Sequence, residues 1–67
     1  MKFFYKVDGE HFVEPHYYKE YYKAFAKMME YAQRFVYANR PLDYVSERKF
    51  GWEFAYVEKI YFDGEDE

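Results

Sequence analysis

The chain has 67 residues, no cysteine, and 10 basic against 13 acidic side chains for a net charge of −3. That bounds it to one small domain and excludes a two-domain enzyme, a disulfide scaffold and a cysteine zinc site. Charges interrupt every apolar run well before the ~18 residues of a membrane span, so no membrane role is expected. The Met1-Lys2-Phe3-Phe4-Tyr5 start is followed by Lys6 and Asp8 and lacks the apolar stretch of a signal peptide, so no secretory signal is read there. The apolar residues are unusual in kind: ten Tyr, eight Phe and one Trp stand against one Leu and one Ile. Asp63, Glu65, Asp66 and Glu67 crowd into the last five positions. Residues 63–67 therefore read as a solvated acidic tail, and residues 1–62 as a single, nearly neutral domain. A body of that charge lacks the basic face of a nucleic-acid module, and no nucleic-acid partner is expected.

Residues 2–7 read as a strand, Asp8-Gly9 as a two-residue hairpin turn and residues 10–14 as the return strand. A type I′ turn there pairs Val7 with Glu10, Tyr5 with Phe12 and Phe3 with Glu14. Phe3, Tyr5, Val7 and Phe12 then share one face, and Phe4, Lys6, His11 and Val13 the other. Pro15 suits the first turn of a helix, and neither Gly nor Pro recurs before Asn39. Tyr18, Tyr22, Phe25, Met29, Ala32 and Val36 form a stripe at helical spacing, backed by Lys19, Lys23, Lys27, Glu30 and Arg34. Asn39-Arg40-Pro41 is the expected stop. The last third reads as a second hairpin, residues 43–49 and 52–62, turning at Phe50-Gly51. That register pairs Lys49 with Trp52, Arg48 with Glu53 and Val45 with Tyr56, and it puts Trp52, Phe54, Tyr56, Ile60 and Phe62 on one face. The expected fold is α+β: a ββαββ chain whose two hairpins form a four-stranded sheet, with one long helix on one face. The most aromatic strands, 2–7 and 52–62, are expected at its centre.

Nothing in the sequence announces catalysis. His11 and His16, with Glu10 and Glu14 beside them, match no zinc spacing and read as surface residues. Ser46 is the one aliphatic hydroxyl, with no context that activates it, and Gly9, Gly51 and Gly64 are too scattered to cradle a phosphate. No catalytic residue, metal or cofactor is expected. The run Lys2-Phe3-Phe4-Tyr5-Lys6 has the make-up of a base-stacking platform, but the neutral body argues for a core strand flanked by lysines.

The aromatic surplus points to binding instead. On the expected helix, Tyr17, Tyr21, Ala24, Met28, Tyr31 and Phe35 widen the apolar arc beyond the ~100° that a sheet-facing helix needs. They line up over roughly 27 Å at about 1.5 Å rise per residue. One reading is a core wrapped further round the helix by long tyrosines; the other is a flank that meets a protein partner. The outer sheet face offers a second candidate surface in Phe4, Val13, Tyr44, Val57 and Tyr61. There the aromatics are interspersed with Lys6, Ser46, Arg48, Glu53 and Lys59, which are costly to desolvate at the centre of an interface. The helix flank is the expected site.

The absence of Cys and Thr, the single Ser, Asn and Gln, the abundance of Tyr, Phe, Glu and Lys, the short connections at Asp8-Gly9 and Phe50-Gly51 and the one uninterrupted helix go together. In these respects the whole chain resembles computationally designed (de novo) mini-protein binders. A helix full of tyrosine departs from the Leu, Ala and Glu usual in designed helices. The resemblance implies a protein that binds a protein target through an aromatic-rich surface, without catalysis, as a monomer or weak homodimer when free. It also fits recombinant cytoplasmic expression, no targeting signal being read. Two alternatives stand beside it: a natural phage-like inhibitor docking on a host protein, and an aromatic homodimer that captures a small ligand.

Overall fold

The computed structural model describes residues 2–34 and 39–62. The fold is α+β, with one helix packed on a five-stranded antiparallel sheet. In chain order the elements are β1 (Lys2–Asp8), β2 (His16–Tyr18), α1 (Tyr21–Ala32), β3 (Tyr44–Val45), β4 (Lys49–Trp52) and β5 (Ala55–Phe62). The strands lie in the order β2-β1-β5-β4-β3. The two aromatic strands pair with each other over β1's whole length, from Lys2 opposite Phe62 to Asp8 opposite Tyr56.

The first hairpin differs from the sequence expectation. No strand forms at residues 10–14; β2 pairs Tyr5 with Tyr18, Lys6 with Tyr17 and Val7 with His16. A type I′ turn needs positive φ at both central residues, and among the described residues only Gly51 has a positive φ. The chain instead turns through the Phe12 N–H to Gly9 carbonyl bond (3.2 Å), and the Gly9 N–H donates to Asp8 Oδ1 (2.8 Å). Gly9 serves close approach: a Cβ there would fall 2.0 Å from the Phe54 carbonyl oxygen.

The helix is also shorter than expected. His16, Tyr17 and Tyr18 are drawn into the sheet, where aromatic side chains fit a pleated, half-covered surface. Lys19 and Glu20 bend the chain, and the Ala24 N–H to Glu20 carbonyl bond (3.3 Å) opens α1. Glu20 is extended (φ −106°, ψ 135°) and makes no side-chain cap. The expected stop at residues 39–41 lies beyond the end of α1; Val36 and the acidic tail lie outside the described residues.

The last third folds as a three-stranded meander. Ser46–Lys49 closes the first turn, with Ser46 N–H donating to the Lys49 carbonyl (2.9 Å), and Glu53-Phe54 closes the second between paired Trp52 and Ala55. Phe50-Gly51 is therefore inside β4, not a turn, and Lys49 pairs with Glu58 and Val45 with Phe50. Because the Glu53-Phe54 turn interrupts the run, the alternation restarts at Ala55. Ala55, Val57, Lys59 and Tyr61 face the helix, whereas Tyr56, Glu58, Ile60 and Phe62 face away.

The fully covered core is small in side-chain volume: Val7, Ala24, Met28, Ala32, Ala55 and Val57, closed at one end by Trp52 and Phe54. Small residues on both layers let the helix lie close to the sheet, and large rings would hold it off. Phe54 is buried, stacked on Trp52 at 5.4 Å, and the indole N–H donates to the Arg40 carbonyl (3.0 Å). Phe25 is half-buried against Tyr21 and Phe50, while Tyr22, expected in the core, is 68% exposed.

Candidate functional site

The helix stripe expected to meet a partner divides among three environments. Ala24 and Met28 are completely buried, because the face expected to be a flank is the one that meets the sheet. Tyr31 is half-buried; its ring lies 4.0 Å from that of Phe12, and its hydroxyl donates to the His11 carbonyl (2.6 Å). Tyr21 packs on Tyr5 and Phe25 and stays 44% exposed. Burial, followed by the neighbouring Tyr5 phenol, pushes the Tyr21 phenol above its ordinary pKa. Tyr17 is on β2 instead of the helix, and Phe35 lies outside the described residues.

The second candidate surface divides as well. Val57 is core, and Tyr61 lies on the helix side with Phe3 and under the Arg48 guanidinium (4.7 Å). Val13 is fully exposed in the loop between β1 and β2. Phe4 and Tyr44 do face away from the helix, but at opposite ends of the sheet. Between them runs a charged row, Lys6 opposite Glu58 opposite Lys49. Lys49 lies over the rings of Tyr44 (4.0 Å) and Tyr56 (4.3 Å), so that half of the face is already engaged.

Beyond the charged row, the other half of the face collects exposed rings. Phe4 meets Tyr17 edge-on (5.4 Å) and Phe62 at a tilt (5.5 Å). These rings and Phe3, Tyr18, Lys2 and Lys19 line a groove of about 810 Å³. Tyr17 is 58%, Phe62 42% and Phe3 41% exposed. The groove lies where β2 ends: β1 continues through Phe4, Phe3 and Lys2 with β5 on one side and, among the described residues, no strand on the other. Five aromatics and two lysines line it, with no acid among them. Sequence reasoning found Phe4 and Tyr17 separately, on two different surfaces. What brings them together is the shortness of β2, which among the described residues leaves the start of β1 paired on its β5 side alone.

A smaller cavity of about 220 Å³ lies on the helix side, bounded by Tyr5, Tyr21, Phe50 and the Ser46–Lys49 turn. Two of its three cations, Arg48 and Lys59, flank Tyr61, and Lys49 and Glu47 share its wall. Among the described residues, no three His, Asp or Glu side chains converge as metal ligands would, and no helix is long and apolar enough to cross a membrane. His11 and His16 are both exposed. No protein-family model, curated protein or solved structure matches the chain.

Proposed function

We propose that this chain is a binding protein, not an enzyme, and that it holds a protein target in the aromatic groove at the free end of β1. The observation that carries the reading is the cluster Phe3, Phe4, Tyr17, Tyr18 and Phe62, three of whose rings are two-fifths or more exposed around one groove. Aromatic anchors in a shared depression are what interface hot spots are built from. The charge of the walls supports a partner segment with apolar side chains and nearby carboxylates, since Lys2 and Lys19 flank the rings. The composition supports a designed mini-protein binder as the origin of the chain.

A hydrogen-exchange footprint tests this reading. Peptides selected from a displayed library for binding to the intact chain should slow exchange at Lys2, Phe3, Phe4, Tyr18 and Phe62. Protection confined to α1, with the groove unchanged, would contradict the reading and return the site to the helix.

A further inference from the structure

We infer that the groove is a strand-addition site: an extended segment of the partner, apolar in its middle and acidic at its ends, pairs with the free edge of β1 at Lys2, Phe3 and Phe4. The inference rests on the reading that this groove holds a protein partner, and it adds the mode of binding.

The β5 side of β1 is paired along all seven residues, but the β2 side only at Tyr5, Lys6 and Val7. Beyond Tyr18 the chain bends at Lys19 and Glu20 into α1, so among the described residues no strand continues beside Phe4, Phe3 and Lys2. Successive residues of a strand direct their backbone groups to alternate sides. The free stretch therefore presents N–H and C=O groups to the groove, and such edges are templates for another strand.

The walls have the matching shape. Alternation puts Phe3 and Tyr18 on the helix side of the sheet, and Phe4, Tyr17 and Phe62 on the outer side. A groove lined from both faces of an open edge fits a segment whose side chains also alternate between two faces. A flat apolar pad would touch one face alone.

Charge selects among occupants. Lys2 and Lys19 line the groove, and neither pairs with a carboxylate among the described residues. A second copy would bring like-charged lysines together around the same edge, whereas a partner with acidic ends is attracted to both. The outer edges of the sheet offer less: β2 has three residues and β3 two.

The test titrates the full chain with a capped heptapeptide, Glu-Val-Thr-Val-Thr-Val-Glu, followed by NMR shifts and amide exchange. It should bind at the groove and slow exchange within Lys2–Phe4. A peptide of the same sequence, N-methylated at its central amide, should bind about tenfold more weakly, because one strand hydrogen bond is lost and the edge is blocked. Replacing both Glu by Lys should weaken binding too, by a factor that shrinks as salt is added. Absence of binding, or equal binding of the N-methylated peptide, overturns strand addition. Equal binding of the Lys-ended peptide overturns the choice of partner. Slower exchange at Lys2–Phe4 with rising protein concentration alone assigns the edge to a second copy and overturns the proposal. Tyr17→Ala separates the two levels of the reading. If it weakens the parent and N-methylated peptides alike, and those two bind equally, the groove stands and strand addition falls. If it changes nothing, both fall.

Discussion

Met28 Sδ occupies the space where a side chain on Gly51 would begin: a Cβ built on Gly51 falls 2.8 Å from it and 2.6 Å from the Ala55 carbonyl oxygen. Gly51 also has φ +133°, a backbone conformation that side-chain-bearing residues rarely adopt. One glycine inside β4 thus lets the helix's buried methionine reach the sheet.

Gly51→Ala should therefore destabilise the fold by at least about 2 kcal/mol, combining backbone strain with overpacking against Met28. Urea denaturation measures this, and a shift below about 0.5 kcal/mol, the range of an ordinary surface change, would show that the contact is not close.

Met28 and Tyr22 make opposite predictions from neighbouring turns of α1. Met28 is fully buried and Tyr22 is 68% exposed. Met28→Ala should lose about 2–5 kcal/mol through its cavity, whereas Tyr22→Ala should stay within about 0.5 kcal/mol. A reversed order in thermal or chemical denaturation would mean that the helix presents its other face to the sheet.

Much of this fold was legible and the errors have physical causes. The strand character of residues 2–7 and of Ala55–Phe62 within the expected strand 52–62, their central pairing and the helical stretch through Phe25 and Met28 followed from composition and spacing, whereas the turn at Glu53-Phe54 did not. The buried face of the helix differs from the expected stripe because helical spacing groups residues on a face but carries no measure of the side-chain volume that the sheet can accept. Tyr22 belongs to the expected stripe and is exposed, whereas the small Ala24 is fully buried in one core with Val7 and Ala55. Asp8-Gly9 has the letters of a tight turn, but the φ of Gly9 is not positive and Gly9 lies close against the Phe54 backbone, a long-range contact that no local pattern encodes. The same holds for the groove. Tyr17 and Phe4 are apolar residues in any reading, and only the pairing of Tyr17 with Lys6 brings them to one place.

Asp43 ties the approach to β3 to the β4–β5 turn. Its Oδ2 accepts from the Glu53 N–H (2.8 Å) and from Arg40 Nη2 (2.7 Å). The Glu53 hydrogen bond first, then that of Arg40, holds this carboxyl below its ordinary value of 3.8. A pKa lowered by folding contributes stability above the ordinary carboxylate range and loses it as pH falls through the lowered value. The stability gap between the parent chain and Asp43→Asn should therefore narrow on acidification below the ordinary value of 3.8. A gap unchanged between neutral and strongly acidic solution would show that the charge of Asp43 contributes nothing.

The alkaline limit has the opposite sign. Burial, then Asp8 and Glu58, raise the Tyr56 phenol above 10.0, and burial with Tyr5 does so for Tyr21. Their neutral forms support the fold below that pH, and the contribution is lost as pH rises through the raised values. Phenolate absorbance should thus show a late-titrating fraction, reduced in Tyr56→Phe. A single titration at the ordinary tyrosine value would contradict the burial of these rings.

The groove claim is tested most directly by two tyrosines of similar exposure, Tyr17 at 58% in the groove and Tyr22 at 68% on the outside of α1. The measurement is the Kd of one library-selected ligand for the parent chain, Tyr17→Ala and Tyr22→Ala. Tyr17→Ala should weaken binding by about 1–3 kcal/mol, as for an interface anchor, and Tyr22→Ala should leave it unchanged. A loss at Tyr22 with none at Tyr17 would place binding on the helix and contradict the account.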